Sequence, residues 1–273
     1  MKNATIAFIG GGNMATSLIG GIVEKGFPAA SVRVSEPVAE AREQLTARFG
    51  VAVTDDNHSA CMNADVVVLA VKPQIMKPVA CDLSDALGHK PVVVSIAAGI
   101  PVAALETWLG KGTPLVRAMP NTPALVHTGA TGLFASPAVN GAQKSLVESL
   151  FSAIGSALWL DSEADIDAVT AVSGSGPAYF FLLMETMEKA GVDLGLTPEA
   201  ARTLTLQTAL GAARMAMDSD VDAAELRRRV SSPAGTTEKA INTFIDGDLP
   251  GLVARAMTAA RDRAREMAAE FSI

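Results

Sequence analysis

The sequence predicts an α/β fold in two parts: a Rossmann-type doubly wound, mainly parallel sheet over residues 1–162, then an all-α region over residues 163–273. Three observations carry this. Short apolar, β-branched runs alternate with helical periodicity through roughly the first 160 residues. The first of these runs ends in three glycines that open a helix. Beyond Ile166 only helical periodicity remains, punctuated by caps.

Ile6, Phe8 and Ile9 lie in the first strand, Gly10-Gly11-Gly12 break it, and Ala15, Leu18, Ile19 and Ile22 follow at helical spacing. Gly10, Gly12 and Ala15 stand in the positions of the dinucleotide fingerprint. Gly10 permits the tight turn, Gly12 lets backbone amides reach a pyrophosphate, and Ala15 lets helix and strand pack closely. The helix start offers free N–H groups to phosphates. The segment predicts nucleotide binding, against the plainer reading of a glycine turn in a non-binding α/β domain.

The second strand covers residues 31–35, ending in Ser35, and Pro37 stops it. Glu36 stands about where such folds hold the adenosine ribose. A carboxylate there accepts from both ribose hydroxyls and repels a 2′-phosphate, which favours NADH over NADPH; a solvated glutamate at a strand end is the other reading. A helix over 38–49 leads to a short strand near 51–53. The run 65–71 is apolar on both faces, as a central parallel strand is, and stops at Lys72-Pro73. Residues 91–96 form the next strand, followed by Ala97-Ala98-Gly99, small residues suited to close approach by a ligand. Residues 114–119 make one more, broken by Pro120-Asn121-Thr122-Pro123. Ligands of such sheets lie beyond the carboxyl ends of the strands, where these loops fall.

In the helical part, Gly174-Ser-Gly-Pro177 opens a helix to about Ala190, Thr197 caps the next, and another begins near Asp222. Ser231-Ser-Pro-Ala-Gly-Thr-Thr237 is a turn and cap before a helix through Phe244. Asp248 caps the last helix, with Arg255, Arg261, Arg263 and Arg265 on a solvated face. The run Ala178-Tyr-Phe-Phe-Leu-Leu-Met184, with Leu204, Leu206, Leu210, Met215 and Met217, is more apolar than so short a segment can enclose alone. A second subunit is expected to cover it.

Hydrophobic residues make up 49% of the 273 and charged residues 19%, which argues against disorder. A net charge of −7 disfavours a nucleic-acid partner. Cys61 and Cys81 show no metal-like spacing and suit a reducing cytoplasm. His58, His89 and His127 lack ligand spacing, so no metal is expected. The chain begins directly with its first strand, without a leader pattern. Runs such as 178–184 are too short to cross a bilayer, so no membrane partner is expected.

Six segments, in this order, make the chain similar to the pyrroline-5-carboxylate reductases: the glycine turn, Ala70-Val-Lys-Pro73, Ala97-Ala-Gly99, Met119-Pro-Asn-Thr-Pro123, Ser173-Gly-Ser-Gly-Pro177 and Val230-Ser-Ser-Pro-Ala-Gly-Thr-Thr237. The resemblance implies NADPH or NADH as cofactor and 1-pyrroline-5-carboxylate as substrate, with L-proline as product. It implies a helical domain that interlocks two subunits, within a larger ring such as a decamer. By resemblance, Gly10, Gly12, Asn13, Met14, Ser35, Glu36, Asn57, Ala70, Val71, Lys72, Pro73, Ile96, Ala97, Ala98 and Asn121 line the cofactor. Ser231, Ser232, Gly235, Thr236 and Thr237 hold the substrate carboxylate, Glu163 lies near the substrate, and Thr170 is the catalytic hydroxyl on the ring nitrogen. Many members carry a small neutral or basic residue where Glu36 stands, so the cofactor preference stays open.

The residue types suit that chemistry. A protonated imine is already electrophilic, so orientation and exclusion of water matter more than a strong acid. Ser232, Thr236 and the free amides of the following helix form an anion cup, where the plainer reading is a helix cap. Plainer readings also stand for Thr170 (bonding back to its own helix), Glu163 (a helix start) and Lys72 (satisfying a strand-end carbonyl). The rivals are a hydroxyacid dehydrogenase, which needs a base that Lys189 stands too far along its helix to supply, and a dinucleotide-binding regulator without turnover.

Overall fold

A computed structural model describes residues 4–271. In chain order the elements are β1 (Ile6–Ile9), α1 (Asn13–Glu24), β2 (Val32–Ser35), α2 (Ala39–Phe49), β3 (Ala52–Thr54), α3 (Asn57–Cys61), β4 (Val66–Leu69) and α4 (Pro73–Leu83). Then come β5 (Val92–Ser95), α5 (Val102–Leu109), β6 (Leu115–Met119), β7 (Gly129–Ala135), α6 (Gly141–Phe151), β8 (Gly155–Trp159) and α7 (Asp165–Val169). A π-helical turn, Thr170–Gly174, joins α7 to α8 (Gly176–Asp193). The chain finishes with α9 (Pro198–Met217), α10 (Ala223–Arg229), α11 (Thr236–Asp246) and α12 (Leu249–Phe271).

The eight strands form one sheet in the order β3-β2-β1-β4-β5-β6-β7-β8. All neighbours are parallel except β6 and β7. The order reverses between β1 and β4, so the glycine turn after β1 opens at the switch point where open α/β sheets bind ligands. Side-chain alternation splits the core across the sheet. Ile6 and Phe8 pack on one face with Leu18, Ile22, Leu150 and Phe151. Ala7 and Ile9 pack on the other with Met76, Leu83, Leu105 and Trp108. Each large side chain so enclosed contributes about 1.5–3 kcal/mol.

Strands β7 and β8 add to the predicted set, and β7 brings in the antiparallel neighbour. Their glycines are structural. A Cβ on Gly132 would lie 2.8 Å from Val169 Cγ2, and one on Gly155 would collide with the backbone of Gly129.

The chain forms two compact units: residues up to Ser175 together with those from Ala260 on, and Gly176–Ala259. Segment 163–175 belongs with the sheet. Gly174 admits Met119 Cε where a Cβ would stand only 2.6 Å from it, and Arg265 of α12 pairs with Asp167 of α7 at 3.4 Å. The remaining arginines predicted on the α12 face pair locally, Arg255 with Asp248, Arg261 with Asp262, and Arg263 with Glu266 and Glu270.

In the second unit only Gly176, Ala201 and Thr205 are buried. Thr197 caps α9 through the Ala200 amide, and Asp222 caps α10 through Glu225. Asp248 accepts from Gly251 at the start of α12. Because α7, the π turn and α8 run on as a single helical stretch, Asp165 to Asp193 is long and apolar enough, by length and composition, to cross a membrane. The shorter run 178–184 alone did not suggest this.

Candidate active site

The glycine turn is built by its neighbours. Gly10 adopts φ +99°, and a Cβ there would lie 2.8 Å from the Ala70 carbonyl oxygen, so the turns after β1 and β4 touch only because this residue is glycine. Its N–H donates to Ser35 O at 2.8 Å. A Cβ on Gly12 would meet nothing within 4 Å, which leaves the approach to the turn open. Gly12 precedes α1 without a side-chain cap, and no acidic residue stands in the first turn. The amides at this helix start are therefore free to receive an anion. Asn13 is exposed here and Met14 is half-buried. These features fit a dinucleotide pyrophosphate.

Glu36 reaches back to the same turn. Its Oε2 accepts the Gly11 amide at 2.9 Å and its Oε1 accepts the Val38 amide at 3.0 Å. Arg42 braces this corner by donating to the carbonyls of Glu36 and Pro37 at 2.7 and 2.9 Å. The carboxylate is thus fixed at the lip of the glycine turn, after β2. Ser35 is buried and donates to Asn57 Oδ1 at 2.7 Å, which orients Asn57 at the start of α3.

Ala70 and Val71 are half-buried after β4, and Lys72 is exposed just ahead of Pro73, the first residue of α4. The Lys72 ammonium pairs with no described residue, and α4 has no side-chain cap. Ile96, Ala97 and Ala98 are half-buried after β5. Gly99 also serves packing: its φ is +75°, and a Cβ would stand 3.0 Å from Met267 Cβ in α12.

Asn121 and Glu163 have partners that sequence reading did not foresee. Asn121 is buried, donating to Ser173 O at 3.0 Å and accepting the Ala130 amide at 2.9 Å. Glu163 Oε1 accepts from Arg117 Nη1 at 2.7 Å and from the Val102 amide at 2.8 Å. Arg117 escaped the sequence reading, although an arginine inside the apolar run Leu115-Val-Arg-Ala-Met119 was the available signal. Thr170 Oγ1 donates to Ile166 O at 2.8 Å. Its proton is committed to its own helix, while the lone pairs of the hydroxyl stay available to accept.

The second unit carries the hydroxyl-rich turn. Ser231 Oγ is spent on Arg227 O at 2.7 Å. Among the described residues, the hydroxyls of Ser232, Thr236 and Thr237 make no hydrogen bond. Ala234, at φ +56°, donates its amide to Glu238 Oε2 at 2.8 Å. Gly235 precedes α11 without a side-chain cap, and a Cβ there would lie 2.9 Å from Ser232 O. Free amides and free hydroxyls thus meet at one helix start, as an anion requires. Burial pushes the thiol of Cys61 up to about 12, so it is inert at neutral pH.

Residues 163–267 match the family model for pyrroline-5-carboxylate reductase dimerisation, and residues 5–99 match that for NADP oxidoreductase, coenzyme F420-dependent. The pyrroline-5-carboxylate reductase of Pseudomonas aeruginosa is 57% identical over 99% of both chains. That of Vibrio alginolyticus is 42% identical over 98% of both. A Coxiella burnetii pyrroline-5-carboxylate reductase structure superposes with a TM-score of 0.94 at 46% identity, covering 97% of this chain and 98% of the other. The Plasmodium falciparum pyrroline carboxylate reductase, solved with NADP bound, gives 0.88 at 29% identity, covering 98% and 99%.

Proposed function

The chain belongs to the pyrroline-5-carboxylate reductase family, and we propose that it reduces the C=N bond of 1-pyrroline-5-carboxylate to L-proline, the last step of proline biosynthesis. In this reading residues 1–162 bind the dinucleotide, and residues 163–273 bind substrate and associate with a second copy. When bound, the reduced nicotinamide supplies the hydride. The observation that carries the assignment is the turn at 231–237, whose free hydroxyls and uncapped helix start suit a small carboxylate.

Ser232, Thr236, Thr237 and the first amides of α11 hold that carboxylate, with Ser231 and Gly235 shaping the turn. The Thr170 hydroxyl, its own proton fixed on Ile166 O, accepts the N–H of the protonated ring nitrogen and sets the face presented for reduction. Gly10, Gly12, Asn13 and Met14 seat the pyrophosphate, and Lys72 lies on the neighbouring turn with its charge unpaired. Glu36 takes the ribose hydroxyls and favours NADH, with NADPH still accepted. The small residues after β5 keep water from the reacting carbon. The apolar face of α8 lies against a second copy of the chain rather than a bilayer, in an interlocked dimer that builds a larger ring such as a decamer, within the cytoplasm.

Purified protein given 1-pyrroline-5-carboxylate should deplete NADH or NADPH, followed by nicotinamide absorbance, and form L-proline in equal amount. No depletion with either cofactor overturns the reading.

A further inference from the structure

Arg117 is the one charged side chain that is buried among the described residues, and the reaction outlined above makes no use of it. It lies in β6 beside Ser95 of β5, the residue before Ile96, Ala97 and Ala98, and opposite Phe134 of β7. Its guanidinium meets Glu163 Oε1 at 2.7 Å. That same oxygen accepts the first amide of α5, Val102, at 2.8 Å. One carboxylate oxygen therefore joins the sheet, the helix that closes the loop after β5, and the segment entering α7.

The connection continues toward Thr170. The Glu163 carbonyl accepts the Ile166 amide at 3.1 Å, and the Ile166 carbonyl accepts the Thr170 hydroxyl at 2.8 Å. A chain of polar contacts thus runs from the strand beside the 96–98 loop to the hydroxyl assigned to the ring nitrogen. Only the Arg117 side of this pair is buried, with Glu163 30% exposed; ion pairs with a buried partner are weak sources of stability, and their best use is to specify one arrangement over others.

We propose that Arg117 and Glu163 are positioning residues that fix Thr170 relative to the loop 96–98, and that Glu163 acts through this clamp without touching the substrate. The inference rests on the assignment of Thr170 above. Misplacing a reacting group by about 1 Å costs on the order of a hundred-fold in rate, so the clamp acts on turnover rather than affinity.

The test compares Arg117→Met, Glu163→Ala and the double variant in the full-length protein. Each single variant should lower kcat at least about ten-fold, with the imine KM and cofactor Kd held within about two-fold. The double variant should be no slower than the worse single one, because both break the same clamp. Backbone amide exchange, read without substrate, should rise together in peptides covering 97–105 and 164–171. A rise in imine KM with unchanged kcat for Glu163→Ala, additive losses in the double variant, or exchange that rises in only one peptide each overturn the clamp. If a variant does not fold, Glu163→Gln, which keeps a neutral acceptor, should show the same pattern at smaller amplitude, and its absence is equally fatal. The exchange measurement does not depend on turnover, so loss of coupling there is separate from any failure of wild-type imine reduction.

Discussion

The turn at Gly10–Gly12 and the turn at 231–237 use one backbone device in opposite settings. Both end at a helix start without a side-chain cap. The first follows a fully buried strand and is pinned by Ser35, Glu36 and Ala70. The second lies in a unit that buries only Gly176, Ala201 and Thr205. That unit also holds most of the exposed large hydrophobics, Phe180, Phe181, Leu182 and Leu194 among them. The glycine turn is finished by its own chain, whereas the second unit lacks the cover that its apolar surface demands. In the proposed assembly a second copy supplies that cover, in keeping with the dimerisation domain matched over 163–267.

The most damaging way to probe this contrast is to charge the uncovered face. Phe180 and Phe181 are 64% and 63% exposed in the single chain. Burying a carboxylate in an apolar interface costs several kcal/mol, so Phe180→Asp with Phe181→Asp should give a monomer by light scattering. Imine turnover should fall by at least about a hundred-fold, since a factor of ten needs only about 1.4 kcal/mol. The NADH Kd should stay within about two-fold, because the glycine turn is completed within its own sheet. Loss of NADH binding in parallel with turnover would show that the halves are not built independently.

A smaller change sharpens the same contrast from the substrate side. Thr236→Val keeps volume and removes one donor from the cup. A hydrogen bond to a charged group is worth about 1.5–3 kcal/mol, so the imine KM should rise roughly ten- to a hundred-fold while the NADH Kd holds. Titration of the cofactor alone, alongside steady-state kinetics, separates the two. Equal weakening of both would remove the carboxylate role from this turn.

What could be read from the sequence follows the range of the interactions. The glycine turn was legible because each of its demands is met by a residue within the turn or by a plain strand end. The need for cover over α8 was legible because a helix that is apolar nearly all round cannot face water. Strands β7 and β8 were not, since Gly129-Ala-Thr-Gly-Leu-Phe-Ala135 and Gly155-Ser-Ala-Leu-Trp159 carry small residues for close packing, not a β-branched pattern. The partners of Glu163 and Asn121 were equally hidden. Arg117 lies 46 residues from Glu163, and Ser173 lies 52 from Asn121. No local pattern ties either pair together.

The mildest test falls on Glu36, where the nucleotide half makes its finest choice. The carboxylate accepts two amides, from Gly11 and Val38, and so does two things at once. It shapes the lip of the turn, and in the proposed function it sets a negative charge where a 2′-phosphate would lie. Glu36→Gln keeps an acceptor for the turn and removes the charge, while Glu36→Ser removes both. If charge is the selector, each variant should move the ratio of kcat/KM for NADPH over NADH upward by on the order of ten-fold, as expected for relief of a screened repulsion near the surface. Glu36→Ser should also weaken NADH itself by about two- to ten-fold, through the lost amide contacts. An unchanged ratio in Glu36→Gln, with a shift only in Glu36→Ser, would assign the selection to the shape of the turn rather than to its charge.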